Sequence, residues 1–488
     1  MPLLCLAATL VVQLVVFLVG QRDFAAADPL WYAQIAKALT VDPSTVFSPD
    51  DLHPHVMRLG LTVPLSLIYR VFGVSTVSTN ILCLFAAAGT VLVAYAAAPT
   101  PRAKIIACFL CATCSPLMQE ANMLNVDLPS TAVMGASVLF LQRRWFVAAM
   151  CTWFAAFLIK ETAIWCAPIW LYVVVRELRS ESWRVGVVLK RFAPALAAGV
   201  VLGIAYFALC AHLWGDPLAR FHGIDKSIGT VGGNPSYAKA WEVTPARMIW
   251  QVPQLLLKMF GATLVLVAAG FWLVRDREQR IWPVATATMV LLYWFGSSQF
   301  SAYQPLAISV RLLLPVLPFA LITATLAAEE ALTRTSPSRL RLAIAIVLAL
   351  VITVPALRKT ASEFKRHQPE TAAFAVLRHE VLADPSHHVL LVCGEPKCTA
   401  IWRFYFRFED PPNLQVVYAR DFAVAPLSPD VRVRALVNAG RASGIRRVST
   451  ELDMTTAIDA AALPTLFNRE GVRLYDAGDG ARLHAALQ

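Results

Sequence analysis

The strongest constraint on this chain is the spacing of its apolar residues. About eleven runs are long enough, or nearly so, for the roughly 20-residue helix that crosses a bilayer core. They lie at about 3–20, 80–98, 104–121, 128–142, 145–159, 161–175, 192–214, 251–274, 281–298, 311–332 and 341–357. Composition points the same way. Hydrophobic residues make up 57% of the chain and charged residues 15%. Soluble chains run at about 45–50% and about 25%. The expected fold class is an α-helical polytopic membrane protein.

The net charge of +11 is distributed, not gathered. Basic residues concentrate in alternate connections: "PTPRAK", "QRRW", "RELRSESWR", "RDREQR" and "TRTSPSRLR". Lys and Arg in short loops mark the cytoplasmic side. This puts the N-terminus in the cytoplasm. Segments 21–79, 215–250, 299–310 and the tail from 358 fall outside. Dispersion over alternate loops argues against a nucleic-acid surface. The first run lacks a basic n-region and a clear cleavage site, so it reads as an uncleaved span.

Two domains are expected. Residues 1–357 form the membrane domain, and 358–488 a soluble extracytoplasmic α/β domain with strands near 388–393, 402–408, 414–419 and 472–475. Within the first, the 21–79 loop is long enough to hold two interfacial helices. Of the ten cysteines, Cys393 and Cys398 lie in the external domain, where a disulfide is permitted. "CFLCATC" (Cys108, Cys111, Cys114) imitates a metal spacing but sits in an apolar run, where cysteines act as small hydrophobes.

Three polar positions stand out at one membrane face. In "DPLWYAQIAKAL", Asp28 and Pro29 make a good helix start. On a helical wheel, Trp31, Tyr32, Ile35 and Leu39 share one face, and Asp28 points into it. A carboxylate aimed at an apolar interior is a functional candidate. Asp127 opens the fourth run, again where a cap is wanted, with Glu120 just before it. Lys160 and Glu161 interrupt two runs in "FLIKETAIW", where they could simply pair with each other.

With these motifs the chain resembles the GT-C-fold membrane glycosyltransferases, among them the family 39 protein mannosyltransferases and the lipid A aminoarabinose transferase. The resemblance rests on Asp28 followed four places later by Tyr32, an interfacial segment ending "VFG", then "NVDLP" at Asp127, "LIKET" at Lys160 and "SVRLLLPVLPF" at Arg311. It spans about the first 330 residues. It implies sugar transfer from a polyprenyl-phosphate donor on the external face, with inversion at the anomeric carbon. Asp28 would be the general base. Lys160, Arg58 or Arg311 would hold the departing phosphate, and Asp127 would order the site or bind acceptor or metal. Many relatives carry an Asp-Glu pair where this chain has Asp28-Pro29. Where the aminoarabinose transferase has Glu-Lys-Pro, this chain reads "HPHVMRLG". Its His53 and His55, near Asp50 and Asp51, could ligate a divalent metal ion, the one cofactor considered. His222 and Asp225 could touch an acceptor, or simply belong to a flexible solvated loop, the reading preferred on sequence.

The expected partners are the polyprenyl-phosphate-linked sugar, the lipid bilayer and a cell-envelope acceptor (lipid, glycan or protein); the expected location is a bacterial inner membrane. The alternative is a transporter or flippase of lipid-linked sugars. Transporters place ionisable groups at mid-membrane on broken helices and often carry internal repeats. This chain keeps its spans apolar and shows no repeat.

Overall fold

A computed structural model describes residues 1–20, 27–47, 54–232, 246–297, 306, 308–335, 338–364, 369–386, 388–393, 398–418, 431–438, 464–469, 472–476 and 481. The chain divides into two compact units. One holds Met1–Gly20, Ala38–Phe72 and Val77–Glu363; the other holds Gln21–Lys37, Gly73–Thr76 and Phe364–Gln488.

The first unit is helical. Its elements are α1 (Pro2–Val19), the end of α2 (Ala27–Val41), α3 (Leu59–Phe72), α4 (Thr76–Ala97), α5 (Pro101–Ala112), α6 (Ser115–Glu120), α7 (Asp127–Gln142), α8 (Phe146–Ile159), α9 (Ala167–Ser180), α10 (Val185–Trp214), α11 (Ala219–Gly232), α12 (Val252–Phe260), α13 (Thr263–Leu273), α14 (Ile281–Phe295), α15 (Leu317–Arg334) and α16 (Ser338–Phe364). Among the described residues four helical stretches are long and apolar enough to cross a bilayer: Pro2–Val19, Thr76–Ala97, Val185–Trp214 and Arg311–Arg334. The run at 251–274 is not one straight helix. It bends by 104° between α12 and α13. Gly261 at the break has φ +53°, a conformation that favours glycine. The run at 104–121 also breaks, at Thr113–Cys114, and Pro116 opens α6. Both interfacial candidates in 21–79 are helices, α2 and α3.

Helices α7 and α8 form a tight antiparallel hairpin. Arg144, with φ +61°, turns the chain between them. Two serines on α7 bond to carbonyls of α8: Ser137 to Ala149 at 2.8 Å and Ser130 to Ala156 at 3.3 Å. Small residues and hydroxyls at such a contact let helix backbones approach closely. The same register carries Asp127, at the start of α7, to Lys160, just past the end of α8. Helix α3 meets α8 through Gly60. A Cβ there would lie 2.8 Å from the Ile159 amide nitrogen, so only glycine permits the contact without a shift.

The second unit contains a five-stranded sheet, order β2-β1-β3-β5-β4. The strands are β1 (His388–Cys393), β2 (Leu414–Tyr418), β3 (Val431–Asn438), β4 (Thr465–Arg469) and β5 (Val472–Asp476). β1 runs parallel to β2 and β3; β5 is antiparallel to β3 and β4. Helices α17 (Pro369–Ala383) and α18 (Cys398–Tyr405) accompany it. Arg434 on β3 pairs with Glu380 on α17 and with Asp476 on β5. The strand expected at 402–408 is instead the end of α18 and a turn. Its aromatic residues pair at helical spacing, Trp402 with Phe406 at 5.8 Å and Phe404 with Phe408 at 6.0 Å, while Tyr405 stacks on Phe374 of α17 at 4.6 Å. Packing overrides the β propensity of such residues. Cys393 is disulfide-bonded.

Candidate functional site

The loop before α7 is held from several sides. Asn80 of α4 accepts from the Leu124 amide at 2.7 Å and donates to the Asn122 carbonyl at 3.0 Å. Asn125 accepts from the Leu128 amide at 2.8 Å. That is the job of a helix cap. Asn125 therefore does the capping that the sequence offered to Asp127.

Asp127 is completely buried and has other partners. Lys160 pairs with its Oδ1, and Arg311 Nε donates to its Oδ2 at 2.8 Å. Three residues singled out separately in the sequence thus form one clamp. Lys160 is extended, with φ −150° and ψ 138°, between α8 and a 3₁₀ turn at Glu161–Cys166. Neighbouring side chains on extended backbone point opposite ways. Lys160 and Glu161 accordingly do not pair with each other. Glu161 accepts from Arg58 at 2.8 Å and from Arg220 at 3.3 Å. The Trp153 indole donates to the Ala163 carbonyl at 2.6 Å and pins the turn to α8.

Arg311 opens a second 3₁₀ turn, Arg311–Val316. The buried Tyr293 hydroxyl, from α14, accepts from the Ser309 amide at 3.2 Å and donates to the Ser309 carbonyl at 3.3 Å. This fixes the chain two residues before Arg311. Arg220, on α11, is almost fully buried and stacks on Phe157 with its guanidinium 4.5 Å from the ring centroid. Cation–π stacking of this kind adds to a desolvated guanidinium's hold. Its Nη1 is buried with no hydrogen-bond partner among the described residues.

The six residues Arg58, Asp127, Lys160, Glu161, Arg220 and Arg311 comprise four cations and two carboxylates. Such a group fits a phosphate chemically, since guanidinium and ammonium groups bind phosphate through charge-assisted hydrogen bonds. Sequence reading missed Arg220, Asn125 and Tyr293. The register of the α7–α8 hairpin could have revealed the Asp127–Lys160 pair, because both lie about the same distance from the turn at Arg144.

Asp28 and Tyr32 stand on α2, in the other compact unit. Helix α2 starts at Ala27, which puts Asp28 inside the first turn, at the end of the helix dipole that favours a negative charge. Tyr32, Ile35 and Leu39 are buried as the wheel requires; Trp31 is not, being 45% exposed. It lies beside Gln34 on the outer side of the stripe. His55 is half-buried, and His53, Asp50 and Asp51 lie outside the described residues. Among the described residues no group of three His, Cys, Asp or Glu could hold a metal ion. His222 pairs with Asp216 at 2.6 Å on the surface, and this contact holds the Asp216 carboxyl below the usual carboxylate range. Asp225 is half-buried.

No family model matches the chain, and no curated protein sequence does. Solved structures do. ArnT from Cupriavidus metallidurans in the apo state is similar over 98% of this chain and 98% of its own, with a TM-score of 0.58 and 13% identity. The same protein bound to undecaprenyl phosphate is similar over 99% of this chain and 98% of its own, with a TM-score of 0.56 and 14% identity. The chain therefore has the fold of ArnT, a GT-C fold.

Proposed function

We propose that this protein is an integral-membrane glycosyltransferase. It moves a sugar from a polyprenyl-phosphate donor to a cell-envelope acceptor on the extracytoplasmic face. The observation that carries this reading is the cation-rich group around Asp127 and Glu161, in a fold shared with a protein that has been crystallised with undecaprenyl phosphate.

In this reading the donor phosphate sits against Arg58, Arg220, Lys160 and Arg311. Asp127 and Glu161 orient those cations. Negative charge grows on the phosphate as the anomeric C–O bond breaks, and fixed cations stabilise it more in the transition state than in the ground state. Asp28 takes the proton from the acceptor hydroxyl. The acceptor oxygen attacks the anomeric carbon from the face opposite the phosphate, so the sugar inverts and polyprenyl phosphate leaves with the bond's electron pair. The lipid tail of the donor explains why such a site belongs in a membrane protein. In this reading the N-terminus lies in the cytoplasm, as basic residues in alternate short loops suggest, and residues 358–488 form an extracytoplasmic domain that supports acceptor binding or stability.

Two variants test this. Asp28→Asn and Arg220→Ala, each purified and reconstituted with a polyprenyl-phosphate sugar donor, are expected to lose sugar transfer; Asp28→Asn is expected to retain its melting behaviour, and Arg220→Ala to melt lower because it removes a buried, ion-paired guanidinium. Asp28→Asn is expected to keep donor binding, because the base acts on the acceptor. Arg220→Ala is expected to weaken it. Full transfer by Asp28→Asn would sink the base assignment. The bent α12–α13 pair resembles the broken helices of transporters and is the one observation on the side of a flippase. Translocation of the labelled donor across vesicles, without transfer, would establish that reading.

A further inference from the structure

A second cationic feature lies at the far end of α9 from Glu161. That helix has 14 residues, so its ends are about 20 Å apart. A cavity of about 600 Å³ runs along α9 from Pro168 to Arg179, against the 274–280 connection that joins α13 to α14, with its arginines toward the C-terminal end of the helix. Five of its nine lining residues are arginines: Arg176, Arg179, Arg275, Arg277 and Arg280; none is acidic. The rest of the lining is mainly apolar.

Positive residues are expected in short connections on one side of any membrane protein. Insertion alone asks for charge, and it is satisfied by exposed residues on a convex loop. Here the arginines surround a hollow, and part of the set is anchored. Arg277 donates to the Arg176 carbonyl at 2.7 Å, tying the connection to α9. The buried Arg176 pairs with Glu278 at 3.0 Å and Glu177 at 3.4 Å. These acids are also engaged by Arg144 and Arg191. Arg179 and Arg275 are exposed and make no ion pair among the described residues.

Leu171 lines this cavity and also a second one, of about 380 Å³, whose lining is wholly apolar. The second is a groove between α8, α9 and α10, walled by residues such as Trp153, Trp170 and Phe192. A cationic pocket and a dry apolar groove therefore share a wall. A free anion uses only the first and an apolar molecule only the second. A lipid with an anionic headgroup uses both, and basic pockets between membrane helices are suited to such headgroups.

We propose that this pair of cavities binds one anionic glycerophospholipid of the surrounding bilayer, its phosphate among the arginines and an acyl chain along the groove. The site is separate from the Asp127 group and does not depend on the catalytic reading.

The full-length protein in phosphatidylcholine nanodiscs, titrated with phosphatidylglycerol and followed by native mass spectrometry, tests it. The wild type is expected to retain one phosphatidylglycerol in preference to phosphatidylcholine. Arg179→Ala/Arg275→Ala is expected to weaken that retention about tenfold with unchanged melting. Arg102→Ala/Lys104→Ala, which removes the same charge from another connection, is expected to leave it intact. Equal losses in both double variants would show general surface charge and overturn the site. So would equal retention of the two lipids by the wild type, a comparison that needs no variant. Displacement of the lipid by inorganic phosphate at similar concentration would overturn it in favour of a free-anion site. Preferential retention of a polyprenyl phosphate would overturn it in favour of the carrier lipid.

Discussion

Asp42 and Asp127 both stand at the start of a helical turn, with proline one or two residues on. The loop around Asp42 uses its acid in the ordinary way. The carboxylate accepts from the Ser44 amide at 2.9 Å and the Ser44 hydroxyl at 2.7 Å, in the open. The loop around Asp127 gives the capping to Asn125 and buries the acid between a lysine and an arginine drawn from distant parts of the chain. Position in a helix did not decide the role of either carboxylate. Burial did, because a buried charge must find partners and an exposed one need not.

Breaking the buried case should have the largest effect. Asp127→Asn leaves Lys160 and Arg311 facing a neutral amide. Removing one member of a buried ion pair costs about 3–5 kcal/mol. A large fall in melting temperature in detergent is expected, together with loss of sugar transfer. If melting is unchanged, Asp127 serves the reaction alone and the clamp is not structural.

Glu161→Gln comes next. Glu161 is only partly buried, and it keeps a neutral acceptor for Arg58 and Arg220 after the change. The expected cost is about 1–3 kcal/mol, the range for hydrogen bonds to charged groups. Donor affinity should fall as the two guanidiniums lose their orientation. A Glu161→Gln protein with donor affinity intact would show that Arg58 and Arg220 are positioned by something else.

Asn125→Ala tests the division of labour directly. Loss of a cap costs about 0.5–2 kcal/mol. If Asn125 is the cap, the variant loses stability while Asp127 keeps its partners, so donor binding at saturating temperature-stable conditions changes little. A collapse of donor binding as large as that of Asp127→Asn would mean that the cap and the clamp are one cooperative unit.

How much of this could be read beforehand differs from residue to residue. Asp127, Lys160 and Arg311 were visible because a charge in an apolar setting is rare. Their meeting was partly visible too, through the hairpin around Arg144. Arg311 joins them by a tertiary contact 184 positions from Asp127, which no local pattern encodes. Arg220 was hidden because it sits in a stretch with the polarity of a solvated loop, and only the fold buries it. Gly60 carried no signal beyond being a glycine; its importance comes from the Ile159 backbone against it. The helical segments followed from apolar periodicity, whereas their breaks at Gly261 and Cys114 depended on single residues inside otherwise uniform runs. In the second unit, aromatic-rich 402–408 misled because β propensity is largely a packing preference, and a helix met that packing better.

Asp42→Ala should have the smallest effect, and its pH dependence gives the comparison its sharpest form. The Ser44 contacts hold the Asp42 carboxyl below its usual value. A carboxyl lowered in the folded state stabilises that state above its unfolded value, and the contribution is lost as pH falls through the folded value. Wild type and Asp42→Ala should therefore differ slightly in melting temperature at neutral pH and converge at acid pH, below the usual carboxylate range. Because Asp42 is fully exposed, solvent screens the contact, and the neutral-pH difference is expected to be far smaller than that of Asp127→Asn. A difference that persists unchanged into acid would show that Asp42 acts through its backbone conformation and not through its charge, and a difference as large as that of Asp127→Asn would remove burial as the property separating the two carboxylates.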